Sequence, residues 1–305
     1  MITYRSNGKL LLTAEYVVLD GAKALALPTK FGQTLNVKPI NAPNIIWKSL
    51  DKDNNIWFEE TFEISNGKLT SLLQNQNSYS ERLIQILNAV NSLNSNFLSF
   101  GKGFEVITHL EFTQNWGLGS SSTLINNIAN WANVDAYKLL HLTFGGSGYD
   151  IACAQHNNPI AYSINKENES KTVEPITFNP SFKDNLFFVH LNKKQDSREG
   201  IMRYNQKKNR SASTISEINS ITNSIIDCKT ISEFKNLITN HEQVISKLID
   251  LPTVKSTKFI DYSGAIKSLG AWGGDFILAT GKFSDMHYFK QKGYHTIIPY
   301  TEMIL

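Results

Sequence analysis

The chain has 305 residues, of which 41% are hydrophobic and 19% charged, with a net charge of +3. At roughly 100–200 residues per domain this is two domains or one large one. The apolar share excludes a disordered chain, and the small charge offers an anionic substrate slight support and nucleic acid almost none. Cys153 and Cys228 are the only cysteines, too few for a disulfide scaffold or a structural zinc site. No apolar run approaches the roughly 20 residues that cross a membrane. Glu15, Asp20 and Lys23 break the stretch from Leu10 to Leu27, which reads as a folded element, not a secretory leader. A cytoplasmic location is expected.

Residues 1–40 read as strand, turn, strand: Leu10 to Leu12 lead into Tyr16 to Leu19, Asp20-Gly21 turns, and Ala24 to Leu27 resumes an extended run. Residues 41–80, polar and rich in Asn and Ser, take no assignment. Ser80 to Leu93 reads as a helix with Leu83, Leu87 and Val90 on one face. Phe104 to Phe112 alternates as a half-buried strand. A Gly/Ser loop, Gly117-Leu118-Gly119-Ser120-Ser121-Ser122, precedes a helix striped by Leu124, Ile125, Ile128 and Ala132. A short helix from Asp135 to Thr143 ends in Phe144-Gly145-Gly146-Ser147-Gly148. Pro175 and Pro180, among polar residues, mark the expected boundary between domains 1–170 and 171–305. Leu186 to Leu191 reads as a buried strand followed by two helices. The second carries a Thr230/Glu233 capping box and an apolar stripe that includes Phe234, Ile238, His241 and Ile245. Phe276 to Ala279 is a strand after a glycine turn. Strand pairs mixed with helices predict an α+β fold.

Four places can carry chemistry. The Gly/Ser loop can turn backbone N–H groups and a helix dipole on an anion, with Ser120, Ser121 and Ser122 as caps or as hydroxyls for phosphate or Mg2+. Taken alone it more often marks a structural connection, and no Lys follows the glycines, so it is not a Walker A loop. Asp150, after Gly146-Ser147-Gly148-Tyr149, is either a base for a substrate hydroxyl or the cap of a helix starting at Ile151. Lys9, after Gly8, either neutralises charge or ends a strand in solvent. Leu269-Gly270-Ala271-Trp272-Gly273-Gly274-Asp275 either closes over phosphate or is a tight turn. Cys153 and His141 each fit packing as well as a role near a site.

In their order these motifs resemble the three-motif pattern of the GHMP kinases, of the mevalonate and phosphomevalonate kinase type, in a divergent branch with a Gly148-Tyr149-Asp150-Ile151-Ala152 string. The resemblance spans nearly the whole chain. It implies an N-terminal ribosomal-protein-S5-domain-2-like domain followed by a ferredoxin-like domain, with ATP and Mg2+ between them. It sets Gly117 to Ser122 on the triphosphate, with Ser121 near the metal, and makes Asp150 the base and Lys9 its partner. Glu15, Tyr16, Ser147, Gly148, Gly273, Gly274 and Arg198 are implied on the substrate side. The acceptor implied is a small molecule, mevalonate or 5-phosphomevalonate, with a sugar or homoserine as the alternative and a non-catalytic sensor as a third reading. No nucleic-acid or membrane partner is expected, and monomer and homodimer both remain open. The chain departs from the pattern at Asn7, at Gln114-Asn115-Trp116 and at Trp272, where a bulky ring is expected at a place of backbone approach to phosphate. No Glu lies between Ser122 and Asp150, so the acidic metal ligand has no candidate. Lys193, Lys194 and Arg198 can hold an acceptor's anion or form a solvated turn, and Lys207, Lys208 and Arg210 read as surface.

Overall fold

The structure, a computed structural model, describes residues 1–65, 67–72, 77–98, 103–195, 197–206 and 212–305, without the side chains of residues 197 and 198. Lys207, Lys208 and Arg210, and the side chain of Arg198, thus lie outside the described residues. The chain divides into two compact units that interleave in sequence. Residues 1–8, 31–114 and 118–155 form the first, and residues 9–30, 115–117 and 156–305 the second.

Strands β1 (Ile2–Leu11) and β2 (Ala24–Ile40) pair with each other, and each has residues in both units. In the first unit follow β3 (Asn44–Leu50), β4 (Ile56–Ser65), β5 (Lys68–Ser71), helix α1 (Ser78–Leu93), β6 (Gly103–Leu110), α2 (Ser120–Ala132), α3 (Ala136–Thr143) and α4 (Tyr149–Gln155). The sheet runs β5-β4-β3-β6-β2, mixed because β3 and β6 are parallel while the other pairs are antiparallel. Its core joins Ile45, Trp47 and Phe62 of the strands to Ile86, Leu87, Ile125, Ile128 and Leu139 of α1, α2 and α3.

The stretch without a sequence assignment, 41–80, thus holds three strands. Their inward rows include polar residues that break the apolar alternation. Ser49 accepts from the Trp47 indole at 3.0 Å, and the buried Glu60 carboxylate accepts from the Ser71 and Ser80 hydroxyls. Tyr16 to Leu19 does not continue a strand: residues Val17–Asp20 form a 3-10 turn entered through Ala14 and Tyr16, both at φ 66°.

The second unit continues with β7 (Ile160–Ile164) and β8 (Lys171–Pro175), a hairpin whose β7 pairs with Ala24–Ala26 of β2. Then come β9 (Leu186–His190), α5 (Ser197–Gln206), α6 (Ala212–Asp227), α7 (Ile231–Ile249), α8 (Val254–Lys258), β10 (Ile266–Ser268), β11 (Phe276–Thr280), α9 (His287–Gln291), β12 (Ile297–Pro299) and α10 (Tyr300–Met303). Among the described residues four helices, α5 to α8, and not two, separate β9 from β10. β9 to β12 form an antiparallel sheet in the order β10-β11-β9-β12, the ferredoxin-like arrangement of a β-α-β-β-α-β chain. β9 lies between two neighbours with both faces covered, which is why its five residues are all buried. Phe187 and Val189 face a core shared with Phe259, Ile277 and Phe289, while Phe188 stacks on Tyr300. The chain is therefore a two-domain α+β protein with a mixed N-terminal sheet and a smaller antiparallel C-terminal sheet. No helix among the described residues is long and apolar enough to cross a membrane.

Candidate active site

Within the second unit, the turn after β1 meets the glycine turn between β10 and β11. Ala14 and Tyr16 hold left-handed backbone that costs a non-glycine residue about 1 kcal/mol each, and side-chain anchors fix the turn. The Ala14 N–H donates to His241 Nε2 at 2.9 Å. Glu15 is 1% exposed and pairs with Lys267, itself fully buried in the middle of β10. Lys267 also reaches Glu242 at 3.4 Å and the Ser268 carbonyl at 2.8 Å, and Glu242 accepts from the Ser268 N–H at 2.8 Å. Burial pushes the Glu15 carboxyl up to about 7 against the pull of Lys267, and raises Glu242 in the same way. Burial and then Lys267 hold His241 well below the usual imidazole range, so its Nε2 remains an acceptor.

Tyr16 carries the second link. Its hydroxyl accepts from the Trp272 N–H at 3.0 Å, its ring stacks on Tyr204 at 6.0 Å, and burial pushes its pKa to about 12. Trp272 does not leave its ring over the turn. The indole N–H donates to the Pro252 carbonyl at 2.9 Å and the side chain is buried. Gly273, at φ 80°, has no atom within 4 Å of the place a Cβ would take, so its backbone is open to a ligand. Gly274 instead packs against Gln195.

Lys9 Nζ donates to the Gly117 carbonyl at 2.7 Å. The same short segment is held by His190, whose Nε2 lies 3.1 Å from the Asn115 carbonyl, and by Trp116, whose ring meets Phe276 edge-on at 5.6 Å. Asp275 lies over Gly117: a Cβ there would stand 2.3 Å from Oδ2.

In the first unit, Gly119 at φ 88° leads into α2 with no side-chain cap, so the first N–H groups of that helix are left for another acceptor. Ser122 is buried and its hydroxyl donates to the Gly119 carbonyl at 2.8 Å. Ser121 is exposed and Ser120 half-buried, and among the described residues neither hydroxyl makes a hydrogen bond. α4 packs against α2, tied by Gln155 to Asn126 at 2.9 Å. Asp150 lies within the first turn of α4, and its Oδ1 accepts from the Ile151 N–H at 3.1 Å. The helix begins one residue ahead of it, so Asp150 is not the cap of a helix starting at Ile151. Gly145 and Gly146, at φ 69° and 103°, have open space at their Cα atoms, while Ser147 and Gly148 are buried. Cys153 is fully buried, and His141 is exposed in the last turn of α3.

The structure thus groups Lys9, Glu15, Tyr16, Gly117, Gly273 and Gly274 in the second unit, and Leu118 to Ser122, Ser147, Gly148 and Asp150 in the first. Sequence reasoning missed Lys267, Glu242, His190 and a role for Asp275. One signal was legible: Lys267 is a cation inside a buried three-residue strand just ahead of a glycine turn. Among the described residues no three His, Cys, Asp or Glu side chains cluster as a metal site.

No protein-family model matches the chain, and no curated protein matches it. Solved structures do. The mevalonate kinase of Methanococcus jannaschii is 18% identical with a TM-score of 0.71, over 97% of this chain and 96% of that one. The phosphomevalonate kinase of Streptococcus pneumoniae, in complex with phosphomevalonate and AMPPNP, is 15% identical with a TM-score of 0.72, over 97% and 99%. A D-glycero-D-manno-heptose 1-phosphate kinase from Bacteroides thetaiotaomicron is 12% identical with a TM-score of 0.66, over 100% and 96%. At these identities the likeness carries the fold alone: this chain shares the fold of these solved kinases.

Proposed function

We propose that the chain is an ATP-dependent kinase for a small hydroxyl-bearing metabolite, with mevalonate or 5-phosphomevalonate as the acceptor. The observation that carries the reading is the uncapped start of α2 after Gly119, with the Ser120 and Ser121 hydroxyls beside it. Backbone N–H groups, a helix dipole and two hydroxyls are what a triphosphate needs from a protein. The donor set fits Mg2+ that arrives on a nucleotide, because Mg2+ takes few protein ligands when phosphate oxygens supply the rest. Ser121 is the proposed hydroxyl near that ion, and Gly117 to Ser122 the triphosphate loop. When bound, MgATP supplies the phosphoryl group to be transferred.

Asp150 takes the proton from the acceptor hydroxyl as its oxygen bonds to phosphorus and ADP leaves. The Lys9 ammonium offsets charge that develops on the transferred group. Ser147, Gly148 and Gly273 are the proposed substrate-facing positions. Glu15, Tyr16 and Gly274 are proposed to act through the turns they hold, and Lys193, Lys194 and Arg198 to hold an anionic group of the acceptor.

The test is Mg2+-dependent ADP release with mevalonate, 5-phosphomevalonate, homoserine, galactose, a heptose 1-phosphate and no acceptor. Release with one acceptor, lost in Asp150→Ala, supports the kinase and names its substrate. Release with a sugar alone moves the reading to the sugar kinases of the same fold. Silence across the panel with nucleotide still bound favours a sensor.

A further inference from the structure

We propose that Asp275 is a positioning residue, a buried carboxylate that clamps the Gly117 peptide and orients the Lys9 ammonium bound to its carbonyl. The catalytic consequence rests on the kinase reading above, whereas the clamp itself can be tested without it.

The seat of Asp275 is over-determined. Its backbone holds a left-handed φ of 50°, unusual for a residue with a Cβ. Its N–H donates to the Lys193 carbonyl at 2.8 Å and its carbonyl accepts from the Leu191 N–H at 2.8 Å. Those two bonds extend the pairing of β9 and β11 and leave the side chain one direction. There the carboxylate is 7% exposed, accepts weakly from the Gln195 N–H at 3.3 Å, and lies against Gly117. With φ 66° and a carboxylate 2.3 Å from any Cβ, position 117 admits only glycine for two separate reasons.

A carboxylate of this burial persists where charge answers it. Burial raises the Asp275 carboxyl above the usual carboxylate range, and the Lys9 ammonium foremost opposes that rise. Lys9 is also the group on the Gly117 carbonyl at 2.7 Å. The Gly117 peptide is thus held by an ammonium on its oxygen and a carboxylate on its Cα, and the two attract each other. An ammonium that only bound phosphate would need no such partner. One that must stand at a fixed place while charge moves does, because transition-state stabilisation depends on geometry set beforehand.

Asp275→Asn keeps the size and the Gln195 contact and removes only the charge. In protein labelled with 5-fluorotryptophan, Trp116→Phe identifies the Trp116 fluorine resonance, whose ring is fixed beside Gly117. Asp275→Asn is expected to move that resonance while those of Trp47, Trp57 and Trp131 stay in place. The affinity for AMPPNP is expected to stay within threefold, because a negative charge has left the neighbourhood of an anion. With the acceptor that proves active, kcat is expected to fall at least tenfold. A carboxylate with a purely structural role would weaken nucleotide binding and turnover together, and that result overturns the proposal. So does an unmoved Trp116 resonance, whatever the rate. Lys9→Gln acts on the same peptide and serves if Asp275→Asn does not fold: it should move Trp116 and raise the Asp275 carboxyl titration seen by carbon NMR, and no change in either overturns the clamp. A wild-type protein that binds no nucleotide removes the kinase reading, and the resonance alone then decides the clamp.

Discussion

Asp150 and Glu15 are both acidic, and the structure gives them opposite surroundings. Asp150 is half-buried in the first turn of α4. As a base it should be dispensable for binding and needed for turnover. Asp150→Asn is expected to lower kcat by about 10²–10⁴-fold, with AMPPNP affinity by calorimetry nearly unchanged. Glu15 is buried beside Lys267, Glu242 and His241, and its folded-state value of about 7 lies above its ordinary 4.5. A carboxyl raised in this sense contributes stability that is complete below about 4.5 and is lost as the pH rises through about 7. His241, held low, runs the other way below the usual imidazole value of 6.5. The difference between wild type and Glu15→Gln isolates the carboxyl: in urea titrations the variant should gain relative to wild type between pH 5 and pH 8. A constant difference across that range would show that Glu15 holds one charge state throughout. Tyr16→Phe removes the acceptor of the buried Trp272 N–H. It should cost about 1–3 kcal/mol, the usual penalty for an unsatisfied buried group, and thermal melts will show it.

Among the elements, those with a local start signal or a continuous stripe were legible. α7 begins where Thr230 predicts, with its hydroxyl accepting from the Glu233 N–H at 3.2 Å, and buries Phe234, Ile238, His241 and Ile245. Thr230→Ala should lower stability by about 1 kcal/mol, read as a shift in the urea midpoint. β6 and α2 follow their periodicities too, and the Gly/Ser loop between them was legible because glycines and helix caps act over a few residues. β3 to β5 were not, because their inward rows mix Ser49 and Glu60 with Trp47 and Phe62, and only tertiary partners make such residues acceptable inside. The buried charges had the same fate. Glu15, Glu242 and Lys267 meet only in the folded chain, and α7 on its own shows Glu242 as one more polar residue beside its stripe. The turn at Ala14 to Tyr16 hid for a related reason: its left-handed residues carry no glycine, so nothing local marks it.

For the whole molecule, the interleaving of the units sets what can be separated. Residues 9–30 and 115–117 belong with residues 156–305. Fragments 1–170 and 171–305, expressed alone, would each lack part of the second unit, and limited proteolysis should show neither as a resistant core. A stable 171–305 fragment would mean that residues 9–30 add little to that unit. The same interleaving orders events on the ribosome. The first unit has all its residues once Gln155 has emerged, but the Lys9–Lys30 segment, made well before residues 156–305, has to wait for its partners. Glu15 stands 252 residues ahead of Lys267, a delay of roughly 10–50 seconds at ordinary elongation rates. During that interval an apolar hairpin with an unpaired carboxylate is held open. The nascent chain should therefore be a chaperone client until residues 156–305 are made.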